Sequence, residues 1–394
     1  MKSLITAVAL LSLVTAAAAQ DQQLGARTKA MGGSYTAFED DPVSVWLNPA
    51  GIATQPDQLS IAYQTYTAYP RGLERGPGDT VNFTEKPAII MGDPAILPSF
   101  VGFVFQLGDA ASPLALGVCY ARPYILNFAM DQVKDPNKTE FAPQTEVHQD
   151  LGRFRVSLAK DFRFQDVGTP GWLTHVSGGL GVDVGYETWR FTGLGQDTTN
   201  SSTGVGFGLG ALLGVYDNYE DFKMNFGIAY SSAIHYNFQI NPNVLPAFDM
   251  PQQLNVGMTF YLLHGTPLRA TVDFQWIDWK STAEDPFFHQ FKGFREAFNV
   301  SMGLEYRIRM SERVSLYPRM GYRRFEAPWS SKDNLPMTGG FRLVLDTKAA
   351  NFNLFTYGAG VSWTTESGKV RSVDVAGDAG GDALNFAVGL TLEF

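Results

Sequence analysis

Arginines recur on the polar faces of segments that alternate between polar and apolar residues. A guanidinium forms paired hydrogen bonds to a carboxylate, so such side chains can bind an acidic substrate group. The candidates for carboxylate binding are Arg153, Arg155, Arg269 and Arg307. The alternative, and the commoner arrangement, is that these arginines, together with Arg319 and Arg323, pair internally. Suitable carboxylates on similar faces are Asp183, Glu187, Asp273 and Glu305.

A second group of charged residues, Glu39, Asp40 and Asp41, lies in a row just before Pro42. Three adjacent carboxylates can bind calcium, which prefers carboxylate oxygens. A carboxylate followed by proline is also a common way to begin a short helix. Capping explains the group equally well, and no metal site is predicted.

No catalytic constellation can be assembled from the remaining residues. The five histidines are scattered without metal-ligand spacing, no G-x-S-x-G motif is present, and Cys119 is the single cysteine. We therefore predict neither an enzyme nor a cofactor.

Glycines at every second position could be mistaken for a dinucleotide-binding loop. They are Gly204, Gly206, Gly208 and Gly210. A dinucleotide loop requires a surrounding βαβ unit, which the sequence lacks. We interpret the segment as a strand whose inward face is all glycine, which would let another backbone approach closely.

Strict alternation identifies the elements that must position these residues. Residues 298–308 and 384–394 alternate over more than the usual length of a soluble strand, as membrane-spanning strands do. Predicted strands lie at residues 57–68, 99–107, 113–130, 145–161, 172–191, 203–217, 219–236, 252–263, 266–279, 296–310, 312–326, 337–346, 350–363 and 383–394. About fourteen antiparallel strands, an even number, predict an all-β transmembrane barrel with polar residues facing its lumen.

Residues 25–51 are the one long stretch of the mature chain without strand character. Small residues permit close backbone packing, and Asn48-Pro49 starts a new turn. We predict a compact plug inside the barrel. Its plug or gate residues are Gly25, Met31, Gly32, Gly33, Asn48, Pro49, Ala50 and Gly51. The alternative is an N-terminal arm lying on a soluble domain.

Composition and the N-terminus set the compartment. Hydrophobic residues make up 45% of the chain and charged residues only 18%, which fits a barrel that hides apolar strands in alternation. The net charge of -9 without a basic block argues against nucleic acid. Residues 1–19 read as a signal peptide cleaved near Ala19, and no other apolar run is long enough for a transmembrane helix. The expected division is 1–19 signal peptide, 20–56 plug and 57–394 barrel, in the outer membrane of a Gram-negative-type bacterium.

Several of these motifs are similar to those of a known family. The stretch GARTKAMGGSYTAFEDDPVSVWLNPAG, at residues 25–51, resembles the plug of the FadL family of outer-membrane transporters for long-chain fatty acids and other hydrophobic compounds. The proline-led segment Met250–Gly257, the segment Val272–Ser281 and the hairpin 300–322 are also similar to that family. The terminal Phe394 resembles the aromatic signal that the outer-membrane assembly machinery recognises.

The resemblance implies passive uptake of a hydrophobic molecule through plug movement and sideways exit through the wall. The expected partners are hydrophobic small molecules such as fatty acids, outer-membrane lipid and the assembly machinery. The family's pocket residues do not align onto single positions here, and none is carried over. A similar opening occurs in PorV-type barrels of type IX secretion, so a shuttle or scaffold for secreted proteins is the alternative. Residues 131–146 and 285–295 could then present its surface.

Overall fold

The computed structural model describes most of the chain after residue 23. The described residues are 24–38, 40–64, 73–75, 79–81, 98–108, 113–130, 133–134, 141–142, 145–164, 171–193, 196–218, 222–236, 249–262, 268–282, 296–326, 335–336, 341–343, 351–380 and 383–394. The predicted signal peptide and Glu39 lie outside them.

Fourteen antiparallel strands form a closed barrel. They are β1 Gln58–Gln64, β2 Phe100–Gln106, β3 Leu114–Met130, β4 Thr145–Arg163, β5 Gly171–Gly193, β6 Gln196–Asn218, β7 Phe222–Ser231, β8 Gln253–Leu262, β9 Leu268–Ile277, β10 Ala297–Tyr306, β11 Val314–Glu326, β12 Asn351–Thr364, β13 Val370–Gly380 and β14 Ala383–Glu393. Each strand pairs with the next in the chain, and β14 pairs with β1. The wall therefore has no free edge.

The predicted number of strands is confirmed, but one predicted strand is wrong and one was missed. Phe341–Leu343, within predicted strand 337–346, pairs with Leu73–Arg75 in a separate small sheet, and β11 pairs directly with β12. The missed strand is β13, whose large exposed apolar residues are only Val373 and Val375, while Asp374 and Asp378 on its other face are buried. So few apolar residues do not stand out as a membrane-facing row.

Alternation along the strands separates two environments. On β4, Phe154, Val156 and Leu158 are exposed on the outside, whereas Arg153 and Arg155 are buried on the inside. Large exposed apolar side chains recur in this way on strands all around the barrel. The exterior is thus suited to hydrocarbon and the lumen to polar groups.

Connections differ at the two ends of the barrel. At one end the chain crosses between strands in few residues, as at 219–221, 263–267 and 365–369. At the opposite end lie long connections, among them 65–99, 232–252 and 327–350. We call these the short-turn end and the long-loop end.

Residues 24–57, called here the N-terminal segment, contain the helices α1 Ala26–Ala30 and α2 Ser44–Leu47 and a 3₁₀ turn Pro49–Ile52. No helix in the described part of the chain is long and apolar enough to cross a membrane. Positive φ angles of 69° at Gly32 and 84° at Gly33 turn the chain after α1. Asn48, in an extended conformation, accepts a hydrogen bond from Ala50 N at 3.1 Å and so caps the 3₁₀ turn.

Candidate functional site

The N-terminal segment lies inside the barrel and is buried by its inward-facing residues. Leu24, Met31, Tyr35, Phe38 and Ile52 have no exposed surface. The segment contacts strands on every side of the lumen, from β1 and β3 through β6 to β14. It therefore packs against much of the inner wall at its own level.

A ring of glycines makes room for this segment. Ten strands each present one glycine towards it: Gly102, Gly117, Gly179, Gly210, Gly227, Gly257, Gly303, Gly321, Gly358 and Gly389. Several are opposite one another across the sheet, such as Gly303 and Gly321. A Cβ at Gly227 would collide with the backbone of Thr36, and one at Gly321 would collide with the amide of Gly32. We call these ten residues the glycine ring.

The residues predicted as plug or gate all lie within this packed region. Met31 contacts Gly303, and the backbone of Pro49 and Ala50 covers Gly179 and Gly210. Asn48 Nδ2 donates to Thr36 O at 2.7 Å and to Ala211 O on β6 at 3.1 Å. The other predicted residues pack within the segment or turn it: Gly25 against Val43, Gly51 against Phe38, and Gly32 and Gly33 in the turn after α1.

The four glycines predicted as one inward face on β6 have different neighbours. Gly210 alone contacts the N-terminal segment. Gly208 lies under the Arg155 guanidinium, and Gly204 and Gly206 face Ile234, in a stretch that follows β7 into the lumen. The close approach of the segment thus depends on one glycine from each of many strands.

A cluster of six charged side chains joins the first half of the segment to the wall. Glu305 on β10 accepts hydrogen bonds from Arg27 at 3.0 Å and from Arg319 at 2.6 Å. Arg269 bridges Glu305, at 3.2 Å, and Asp40. Arg319 also pairs with Asp374. Three arginines and three carboxylates balance, so the cluster, called here the Glu305 cluster, is neutral.

Two further contacts attach residues 24–40, the first half of the segment, to the barrel wall. Lys29 Nζ pairs with Asp378 at 2.7 Å, and neither side chain is exposed beyond 1%. The carboxylate of Asp273 accepts from the backbone N–H of Tyr35 at 2.7 Å and of Thr36 at 2.8 Å. Asp273 thus binds segment backbone and does not pair with an arginine in the described contacts.

The two acids before Pro42 are structural. Burial opposes ionisation of Asp40, but the charges of Arg269 and Arg27 hold its pKa below the ordinary value. Asp41 accepts from Val43 N at 2.9 Å and from Tyr35 Oη at 3.2 Å, and burial raises its pKa to about 6. Burial also raises the pKa of Tyr35. Among the described residues, no group of three His, Cys, Asp or Glu could hold a metal ion.

Arg153 and Arg155, both predicted carboxylate binders, share the buried Asp183. Arg155 Nε donates to Asp183 at 2.7 Å, and its terminal nitrogens donate to Asp183, to Ser231 Oγ and to the backbone oxygens of Val45 and Trp46. Arg155 therefore has no donor left for a ligand. Arg153 pairs with Asp183 and approaches Met250 Sδ at 3.5 Å, whereas its buried Nε has no hydrogen-bond partner among the described residues.

An apolar cluster lies beside Arg153, towards the long-loop end. It consists of Leu151, Ile234, Tyr236, Met250, Ile277, Trp279 and Ala297, all buried. Ile234 and Met250 form an isolated backbone bridge that holds the stretch after β7 against the start of β8. The Arg153 guanidinium lies 5.0 Å from the ring of Trp46, so the cluster adjoins the N-terminal segment.

Two predicted site residues lie away from this region. Arg307 is exposed at the short-turn end, where it donates to Ser315 Oγ at 3.1 Å. Phe394 is exposed after β14, and its N–H donates to Asp57 O at 2.9 Å. Sequence reasoning missed Arg27, Lys29 and Asp378, because their partners are distant in the chain.

Comparison with known proteins shows the same architecture at low sequence identity. No protein-family model and no curated protein sequence matches the chain. A FadL homologue of Pseudomonas aeruginosa is 14% identical over 94% of this chain and 98% of its own, with a TM-score of 0.56. The toluene transporter TbuX of Ralstonia pickettii is 14% identical over the same shares, with a TM-score of 0.55. The toluene transporter TodX of P. putida is 12% identical over 95% of this chain and 99% of its own, with a TM-score of 0.56. At these identities the likeness shows the fold, a FadL-type barrel.

Proposed function

We propose that this FadL-type barrel is an outer-membrane channel for the passive uptake of hydrophobic molecules. The observation that carries the proposal is the buried apolar cluster around Met250 and Trp279, which lies beside Arg153 and adjoins the N-terminal segment on its long-loop side. Small-molecule sites are lined mainly by hydrophobic and aromatic side chains with a few polar groups, and this cluster together with Arg153 has that composition. The toluene transporters with the same fold agree with a hydrophobic cargo.

The expected orientation follows from the connections. Short turns of outer-membrane barrels face the periplasm and long loops face outwards. The apolar cluster then lies on the outer side of the N-terminal segment, where cargo would arrive. In this proposal residues 1–19 are removed during export, residues 20–56 act as the plug, and Phe394 is recognised by the assembly machinery.

The route onward needs both a moving plug and an exit through the wall. The glycine ring packs closely on the segment, and the Glu305 cluster would expose cargo to buried charges. A sideways exit avoids that polar interior. The register of β3 against β4 shifts between Ala121 and Tyr124, where Pro123 cannot donate a ladder hydrogen bond. We place the exit at this bulge, beside the Arg122–Asp150 pair.

Long-chain fatty acids are the proposed cargo, because one arginine remains able to bind their head group. The donors of Arg155 are fully used, Arg269 is bound in the Glu305 cluster, and Arg307 lies at the other end. Arg153 has a buried Nε without a hydrogen-bond partner among the described residues, and its Nη1 approaches Met250 of the apolar cluster. A carboxylate could accept from that N–H while its chain lies along Ile234 and Met250.

Uptake by cells that produce variants of the full-length protein tests the proposal. Losing a charge-assisted hydrogen bond of about 1.5–3 kcal/mol should lower oleate uptake by Arg153→Gln roughly ten- to hundredfold. Toluene has no acceptor group, so its uptake should be unchanged. Arg307→Gln is the matched control and should transport both compounds normally. Equal oleate uptake by Arg153→Gln and the parent would exclude the carboxylate role. Uptake of neither compound by the parent would exclude the channel.

The shuttle for secreted proteins stays a prediction without a supporting contact. Residues 131–146 and 285–295, which would present its surface, fall largely outside the described residues. Copurification of secreted proteins in stoichiometric amounts would favour that role over transport.

A further inference from the structure

Cations are concentrated on one side of the short-turn end. The hairpin ends at residues 307–313 and 364–371 carry five cations against two carboxylates, although the whole chain has a net charge of -9. The cations are Arg307, Arg309, Arg313, Lys369 and Arg371, and all are exposed. The carboxylates are Glu312 and Glu366.

The two hairpin ends are adjacent in the wall. Thr364 N donates to Arg313 O at 2.8 Å, and Val314 pairs with Trp363. Arg313 and Glu366 are 3.6 Å apart, but both side chains are more than half exposed, so water weakens this ion pair. The described contacts include no carboxylate partner for Lys369 or Arg371.

Arg371 points away from the lumen. It has the same parity on β13 as the exposed residues Val373 and Val375, whereas Asp374 between them is buried. Trp363 on β12 and Leu392 on β14 are its direct cross-strand partners on that outer face. Arg371 therefore lies where the outer apolar band ends near the short-turn end, beside Trp363. That is the depth at which lipid head groups lie and where tryptophan is enriched.

From this placement we infer that Arg313, Lys369 and Arg371 form a binding site for the phosphate head group of an anionic phospholipid in the periplasmic leaflet. The surface for the acyl chains lies next to this site on the outer face, towards the long-loop end, and consists of Val373, Val375 and Leu390. Guanidinium groups bind phosphate in paired geometry, and the ammonium group of Lys369 adds a third cation. The inference rests on the outer-membrane location proposed above and is independent of the transported substrate.

Native mass spectrometry of the full-length protein tests this site. The probes are equimolar phosphatidylglycerol and phosphatidylcholine of the same chain length in mixed micelles. The parent should retain phosphatidylglycerol preferentially, and each cation removed should lower that preference about fivefold. The double variant Lys369→Gln/Arg371→Gln should thus lose nearly all of it.

A matched double variant separates a built site from general attraction. Lys160→Gln/Lys223→Gln removes two cations from the same end of the barrel, where each lies over an aromatic ring. This control should keep the parent's preference. The inference would be overturned if both double variants lost the preference for phosphatidylglycerol equally. It would also be overturned if the parent showed no such preference, and the cations would then be assigned to a soluble acidic partner. Heat-modifiable migration verifies that each variant is folded, and oleate uptake measured alongside reports the proposed function separately.

Discussion

The two halves of the N-terminal segment are held inside the barrel by different forces. Residues 24–40 are attached to β9–β14 mainly by ion pairs, through Arg27, Lys29 and Asp40. Residues 41–57 pack on β2–β6: Val45, Trp46 and Ile52 form an apolar cluster with Phe100, Val104 and Cys119, and Pro49 and Ala50 lie against glycines of β5 and β6. The buried ion pairs to the wall are thus concentrated in the first half, and the largest apolar cluster is formed mostly by the second half.

This difference indicates which half opens. A buried ion pair gains little net free energy, because desolvation offsets most of the attraction, and it weakens once water enters. Buried apolar area stabilises the packed state in proportion to its size, and this stabilisation is spread over many contacts. We therefore expect the first half to leave the wall while the second half stays as an anchor.

Removing both halves of the segment should raise the conductance of the barrel the most. A variant without residues 25–51 should still close its barrel, because the strands are paired through their own backbone ladder. The glycine ring would then line an open pore, and single-channel conductance in planar bilayers should rise strongly. A folded deletion variant that conducts no more than the parent would show that the segment does not block the lumen.

Breaking only the ion pairs of the first half should have the second-largest effect on conductance. Glu305→Ala leaves Arg27, Arg269 and Arg319 without their shared carboxylate, and removing one partner of a buried ion pair costs about 3–5 kcal/mol. Conductance should rise in bursts while the barrel stays folded. Glu312→Ala, at an exposed carboxylate of the short-turn end, is the control and should behave as the parent. A tight Glu305→Ala channel would contradict an opening first half.

Weakening the apolar half should lower stability more than it raises leakage. Ile52→Ala removes a fully buried side chain that touches the position of Gly117, and such truncations cost about 2–5 kcal/mol. The thermal unfolding temperature should fall, whereas conductance should stay below that of Glu305→Ala. The reverse order of leakage would assign the opening to the second half.

The smallest effect should be a pH dependence at the junction of the halves. The pKa of Asp41 is about 6 in the folded protein and about 3.9 when exposed, so the folded state favours the proton. The resulting stabilisation is complete below about pH 4 and is lost as the pH rises through about 6. Arg27, Asp40, Asp374 and Tyr35 are the charged or titratable groups around it.

Conductance of the parent should therefore be lower near pH 5 than near pH 7. Asp41→Asn keeps an acceptor for Val43 N and should remove this dependence while conducting as the parent does at about pH 5. Asp57→Asn, at a carboxylate that accepts from Gln106 N in the wall, serves as the control and should keep it. A dependence that survives in Asp41→Asn would assign the titration to another group.

Much of the wall was readable from the sequence, because alternation is a local signal. β10 and β14 alternate cleanly and were predicted within a few residues. β13 was missed because Asp374 and Asp378 point inwards between only two exposed valines, a pattern that a polar loop also shows. The pairing of Asp183 and Glu305 with arginines was anticipated because opposite charges on inward faces must neutralise each other.

The interior could not be predicted in the same way, because its contacts join distant residues. Gly303 and Gly321 do not stand out in the sequences of their strands. Their role is visible only in the structure, where Met31 and Gly32 pack against them. Lys29 and Asp378 are likewise far apart in the chain but form one buried pair. The glycine run on β6 was overinterpreted because only Gly210 faces the segment.

The glycine ring also determines how the segment can move. Where backbone touches backbone, as at Gly227 and Gly321, there is no side chain that could change rotamer to absorb a small shift. Close-packed contacts of this kind resist gradual deformation and give discrete arrangements. The first half should therefore leave the wall as one body, so the channel has two separate levels of conductance and no continuous range between them.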